Sequence, residues 1–192
     1  KKLNSKFVAV RSSATAEDSS SAAWAGQLES YLNTTKETLL PNVQKCFASL
    51  FTPRAIFYRF ETHLRQGFGG QGGLHQEKIS MAVVIQKMVN SEKSGIAFSV
   101  HPVTEDKNQL IIEAGLGLGE SIVSGQITPD SYVIEKEPRR IMDKNIVIQE
   151  KGLYRKKDGG NEWINIPQST GKKQTLTDQE ILKLSELILK IE

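Results

Sequence analysis

The chain has 192 residues, 38% hydrophobic and 24% charged, with a net charge of +3 at neutral pH, which suits a globular protein of one domain or two closely packed lobes. So small a charge, spread along the chain, argues against a nucleic-acid partner, and no run approaches the roughly 20 apolar residues of a membrane-spanning helix. The single cysteine, Cys46, cannot close an internal disulfide, which favours a cytoplasmic protein, and the opening Lys1-Lys2-Leu3 reads as the interior of a longer chain.

Apolar residues alternate through Phe7-Val8-Ala9-Val10 and predict a strand from Phe7 to Arg11 that runs into Ser12-Ser13-Ala14-Thr15-Ala16-Glu17-Asp18. A second alternation, Gln27 to Asn33, predicts a strand returning from this loop, with Gly26 allowing close backbone approach. Such a loop suits phosphate. Arg11 offers a permanently charged fork of donors, and the hydroxyls of Ser12, Ser13 and Thr15 add neutral hydrogen bonds. The same residues also fit a solvated turn in which Arg11 pairs with Glu17 or Asp18.

Thr34-Thr35-Lys36-Glu37 has the form of a capping box, and Leu39, Val43, Cys46, Phe47 and Leu50 recur at helical spacing. Pro41 would sit inside a helix capped at Thr34, so the regular helix is expected to start near Thr38. Cys46 lies on the apolar stripe as a small hydrophobe. A second helix is expected from Pro53 to about Leu64. Gln66 to Gly73 carries five glycines in eight residues and predicts a loop, either an active-site lid or a surface insertion. His63 and His75 flank it without partners at metal-ligand spacing.

Met81 to Val89 is apolar apart from Gln86 and Lys87 and predicts a strand buried on both faces, where a glutamine must find a hydrogen-bonding partner in a ligand or a neighbouring backbone. Further strands are expected at Ile96 to Val100 and Leu110 to Glu113. The glycines of Gly115-Leu116-Gly117-Leu118-Gly119-Glu120 match only the first two places of the dinucleotide fingerprint, so they predict a tight connection into a short helix through Ile122-Val123. A Walker A run is absent, since Gly171-Lys172 lacks both the earlier glycine and the following hydroxyl residue. His101, beside Pro102, reads as a turn residue. Strands at Tyr132 to Glu135 and Ile141 to Ile148 follow, then a surface hairpin or loop over Glu150 to Thr170. A second capping box at Thr177-Asp178-Gln179-Glu180 opens a final helix with Ile181, Leu184, Leu187, Ile188 and Ile191 on one face.

Val10-Arg11-Ser12-Ser13-Ala14-Thr15-Ala16-Glu17-Asp18, with Trp24-Ala25-Gly26-Gln27 after it, resembles the signature of the ATP-binding domain shared by phosphoenolpyruvate synthase, pyruvate phosphate dikinase and rifampicin phosphotransferase. Four further blocks follow in family order: Ala48 to Ala55, Val84 to Val89, Ser94 to Phe98 and Gly117 to Gly125. The chain is most similar to phosphoenolpyruvate synthase, with rifampicin phosphotransferase the nearest rival and a non-catalytic nucleotide-binding module a rival of another class. The glycine-rich stretch 67–73 departs from the family pattern.

The resemblance implies an α+β, ATP-grasp-like fold of two lobes of mostly antiparallel sheet with packed helices, divided as 1–92 and 93–192. It implies that Arg11, Gly26, Ser30 and Gln86 contact ATP, with Met88 and Val89 as apolar walls for the purine, Arg11 taking the catalytic role, and Trp24 packed under the loop. It makes the glycines after Glu113 a floor of the nucleotide cleft. Magnesium ligands are expected outside this chain, as are the phosphohistidine carrier domain and the pyruvate-binding domain that it would serve; none of His63, His75 and His101 matches the carrier histidine. The activity implied for the whole enzyme is phosphorylation of that histidine by ATP and then of pyruvate, releasing AMP and phosphate, with this stretch alone inactive.

Overall fold

A computed structural model of the chain describes residues 3–14, 28–57 and 80–192. Residues 15–27 with Trp24 and Gly26, the glycine-rich stretch, His63 and His75 lie outside the described residues. Two compact units are formed, one of Lys1–Val89 with Lys156–Gly160 and one of Asn90–Arg155 with Asn161–Glu192. Antiparallel sheets with a few packed helices make the fold α+β.

The first unit is built on β1 (Val8–Ala14), paired antiparallel on one side with β2 (Ser30–Thr34) and on the other with β3 (Met81–Lys87). Side chains alternate across a strand, so Val8 and Val10 share one face, and helix α1 (Lys36–Ala48) covers it with Leu39, Val43 and the fully buried Cys46. Tyr31 and Val83 close that small core from the flanking strands. Asn33 adopts a left-handed φ of 51° where β2 slips against β1, the geometry of a β-bulge.

Helix α1 begins earlier than the proline suggested. Thr35 caps it, its N–H donating to Thr38 Oγ1 at 3.0 Å, and Pro41 lies inside the helix. The proline sits within the second turn, so its missing N–H leaves only the Glu37 carbonyl without a helical partner near an already fraying end. Thr34 is instead buried on β2, accepting from Asn42 Nδ2 at 2.9 Å. A 3₁₀ turn, Ser49–Phe51, leads to helix α2, described over 53–57.

The expectation that Met81 to Val89 is a strand buried on both faces is not met. Strand β3 ends at Lys87, lies at the sheet edge among the described residues, and leaves Val84 45% and Ile85 37% exposed. Apolar content alone does not distinguish a core strand from an edge strand, because both can carry β-branched residues.

The second unit holds a four-stranded antiparallel sheet in the order β4 (Lys93–Phe98), β5 (Gln109–Leu116), β6 (Asp130–Glu135), β7 (Arg140–Asn145). The short helix α3 (Glu120–Val123) follows β5, and the stretch from Glu150 contains the hairpin β8 (Lys151–Arg155) and β9 (Asn161–Asn165), then α4 (Gln168–Gly171). Leu110, Ile112, Ala114, Tyr132 and Ile134 form the sheet's inner face, against Ile181, Leu184 and Ile188 of the final helix α5 (Asp178–Ile191). The capping box at its start forms as expected: Thr177 N–H donates to Glu180 Oε2 at 2.8 Å, and Glu180 N–H donates to Thr177 Oγ1 at 3.3 Å.

The glycine run after Glu113 has a packing reason at Gly117. Its φ is +88°, it bridges Leu153 in parallel, and a Cβ there would overlap the Leu153 carbonyl. Gly117→Ala is expected to destabilise the chain by roughly 2–4 kcal/mol, from left-handed strain plus displacement of a backbone neighbour, measured as a lowered unfolding midpoint; an unchanged midpoint would show that the bridge is dispensable.

Asp130 is fully buried yet satisfied. One carboxylate oxygen accepts from Val147 N–H at 2.9 Å; the other accepts from Thr175 N–H at 2.7 Å and from the Tyr132 hydroxyl at 3.0 Å. The Tyr132 oxygen in turn accepts from Leu176 N–H at 3.1 Å. Burial, with the Asp130 charge beside it, pushes the Tyr132 phenol up to about 12 from its ordinary 10.0. The folded chain therefore keeps that proton after the unfolded chain has lost it, and stability falls as pH rises from 10 towards 12. The difference in stability between the parent chain and Tyr132→Phe should shrink over that window; a constant difference would contradict the assignment.

Candidate functional site

Five of the expected ligand positions, Arg11, Ser30, Gln86, Met88 and Val89, are described residues of the first unit, and the strand register decides which of them meet. Arg11 pairs directly with Ser30 on β2 and with Val84 on β3, while Gln86 pairs with Ala9, two residues before Arg11. Directly paired residues point to the same face, and so do alternate residues of one strand. Arg11, Ser30, Val84 and Gln86 thus stand together on the face opposite α1, and all four are exposed. By strand geometry the Arg11 and Ser30 Cβ atoms lie about 5 Å apart, and Gln86 lies diagonally at about 7–8 Å from Arg11. Residues up to 75 positions apart in sequence would not be grouped by any local pattern.

One guanidinium, one hydroxyl and one carboxamide on an exposed sheet face make a donor-rich surface able to hold an anion. Arg11 forms no ion pair among the described residues; the alternative partners Glu17 and Asp18 lie outside them. Met88 follows β3 with its N–H donating to the Phe7 carbonyl at 3.1 Å, and Val89 is 72% exposed. Gly26 lies outside the described residues.

Ser12 departs from the expectation that it faces phosphate. Being next to Arg11, it points to the α1 side, where its hydroxyl donates to the Glu29 carbonyl at 2.7 Å. The Ser12 N–H donates to the same oxygen at 3.3 Å, and the Cys46 thiol approaches it at 3.7 Å. The strand alternation already visible at Phe7 to Val10 separates Ser12 from Arg11 and leaves Ser13 on the arginine's face. Beneath the sheet the Glu29 carboxylate pairs with Arg54 of α2 at 3.8 Å. Burial, then the Glu29 charge, raises the Cys46 thiol above its ordinary value, in keeping with an unreactive core position.

Among the described residues no three His, Cys, Asp or Glu side chains converge as a metal site. His101 is a turn residue, its Nδ1 accepting from the N–H groups of Val103 at 3.3 Å and Thr104 at 3.2 Å. No helix of the described residues is long and apolar enough to cross a membrane.

Comparison with known proteins gives this face a context. The family described as pyruvate phosphate dikinase, AMP/ATP-binding domain matches residues 1–192. A probable phosphoenolpyruvate synthase of Methanocaldococcus jannaschii is 45% identical over 186 residues, 96% of this chain and 15% of the relative. One from Archaeoglobus fulgidus is 48% identical over 182 residues, 94% of this chain and 23% of the relative. A rifampicin phosphotransferase of Bacillus cereus is 43% identical over 185 residues, 96% of this chain and 20% of the relative. The chain therefore spans between 15% and 23% of the length of these relatives. With the match running from the first residue to the last, the chain belongs to the pyruvate phosphate dikinase AMP/ATP-binding domain family.

Proposed function

We propose that this chain is the nucleotide-binding part of a longer, cytoplasmic phosphotransferase that uses ATP and magnesium to phosphorylate a carrier histidine and then pyruvate, giving phosphoenolpyruvate, AMP and phosphate. The observation that carries the reading is the register that sets Arg11, Ser30 and Gln86 side by side on one exposed face. The family match and relatives such as the probable phosphoenolpyruvate synthases support it.

In this reading Arg11 holds phosphate oxygens in a planar, permanently charged fork, and the Ser30 hydroxyl and Gln86 carboxamide add neutral hydrogen bonds that fix the phosphate tail. Phosphoryl transfer asks a protein mainly for positioning and for positive charge around the transferred group, which is what an arginine on a rigid strand supplies. Met88 and Val89, beyond the end of β3, would in this reading offer apolar surface to the base. The expected contact at Gly26 belongs to the same proposal, as does an ATP-grasp-like arrangement of lobes divided as 1–92 and 93–192. In the same proposal the magnesium ligands, the carrier histidine and the acceptor site belong to other parts of the longer protein.

The acceptor is tested with the full-length protein by following nucleotide products. AMP release that depends on pyruvate supports the reading. Release that depends on rifampicin moves the chain to the second group of relatives, and ATP binding without turnover makes it a non-catalytic module.

A further inference from the structure

We infer that Asn33 is a positioning residue: its left-handed backbone inserts the extra residue that sets Ser30, rather than Tyr31, opposite Arg11, and the turn Lys156–Gly160 latches it there. The inference rests on the proposed nucleotide-binding role of Arg11 and Ser30. Thr34 pairs with Val8, while Tyr31 pairs with Val10 and Ser30 with Arg11. Two residues of β2, Leu32 and Asn33, therefore stand against the single residue Ala9 of β1. Continued from Thr34 and Val8 without that extra residue, the register would bring Tyr31 opposite Arg11. A one-residue slip turns every later side chain to the other face of the sheet. Tyr31 would then leave the small core with Val8 and Val10, and the Ser30 hydroxyl would leave the face of Arg11.

Asn33 absorbs the insertion at a φ of 51°, a conformation that asparagine tolerates better than most residues. On the α1 side the Thr34 hydroxyl closes the bulge by donating to the Tyr31 carbonyl at 3.2 Å. The Asn33 carbonyl accepts from the Gly160 N–H at 3.0 Å. This contact lies within the first unit, to which Lys156–Gly160 belong. Gly159, at a φ of +101°, sets the turn against the same spot: a Cβ there would stand 2.5 Å from Thr35 Cγ2 and 3.1 Å from the Asn33 carbonyl oxygen. Asn33 is itself fully buried, so it acts on nucleotide affinity through the place it gives Ser30.

The test measures binding of a non-hydrolysable ATP analogue to the full-length protein, with KM for ATP, kcat and the unfolding midpoint. Gly159→Ala pushes the turn off Asn33, whereas Gly160→Ala, at a φ of +72° with open space for its Cβ, adds left-handed strain without that collision. Gly159→Ala is expected to weaken analogue binding and raise KM by about five- to tenfold, the loss of one hydrogen bond, with kcat little changed and Gly160→Ala close to the parent. Combined with Ser30→Ala it should bind no more weakly than Ser30→Ala alone, because both remove the same contact. Losses that multiply in the double variant, or equal losses in the two glycine variants, overturn the positioning role. So does parent-like binding in Gly159→Ala while Arg11→Ala is impaired. If Gly159→Ala does not fold, Asn33→Gly and Asn33→Ala decide, since both lack the amide and differ in tolerance of a left-handed φ. Binding about fivefold weaker in Asn33→Ala then supports the role, and equal binding overturns it. Parent-like binding in Arg11→Ala overturns the nucleotide reading itself, and the inference with it.

Discussion

In the full-length protein, Arg11→Ala is expected to lower kcat/KM for ATP by about 10²- to 10³-fold, the loss found when a charged or preorganised donor to a reacting oxyanion is removed. Arg11 sits in the middle strand of its sheet, paired on both sides, so its Cα is held by β2 and β3 alike. Truncation removes the guanidinium without disturbing that backbone, and its exposed face offers no core to collapse. Stability should change by well under 1 kcal/mol, as for most surface substitutions. Arg11→Lys keeps the charge but loses the planar fork, so it should recover only part of the activity. If Arg11→Ala retained kcat/KM within twofold, the phosphate contact would lie elsewhere.

The largest structural loss is expected from Asp130→Ala, at about 3–5 kcal/mol, because three donors that now point at one carboxylate would be left inside the second unit. Each tethers a different piece: Val147 the segment after β7, Thr175 the approach to α5, and Tyr132 the sheet itself. Asp130→Asn should cost less, since one oxygen can still accept while its amide group meets a donor. Tyr132→Phe should cost about 1–2 kcal/mol, because Asp130 keeps its two backbone donors. Urea unfolding followed by Trp163 fluorescence in a Trp24→Phe background reports on the second unit. A loss below 1 kcal/mol for Asp130→Ala would show that water replaces the carboxylate freely.

Local pattern revealed much of this fold. Alternation marked β1 and β2, a threonine and a glutamate three apart marked the start of α5, and a dense run of Lys, Asp, Gly and Asn marked a hairpin or loop where the β8–β9 hairpin forms. What stayed hidden depends on distance. The Asp130 cluster joins residues 45 positions apart, and no periodicity announces a single polar residue in a strand as a hub. Gly117 was visible as a glycine, but its reason is the Leu153 carbonyl, which only the fold brings near. Strand β3 looked like a core strand because composition does not say whether a second face is covered. Pro41 pushed the expected helix start towards Thr38, whereas capping by Thr35 outweighs one missing bond.

For the candidate site, the ligand positions came from a family signature, and the register adds that three of them share a face. The sequence also treated the serines after Arg11 as equivalent. Strand geometry separates them, giving Ser13 to the arginine's face and Ser12 to the rung with Glu29.

The most direct measurement is a crystal structure of the full-length protein with a non-hydrolysable ATP analogue. Phosphate oxygens are expected about 2.7–3.0 Å from the Arg11 guanidinium, on the sheet face away from α1, with Ser30 and Gln86 alongside. Phosphates bound on another surface, with Arg11 engaged by Glu17 or Asp18, would contradict the assignment.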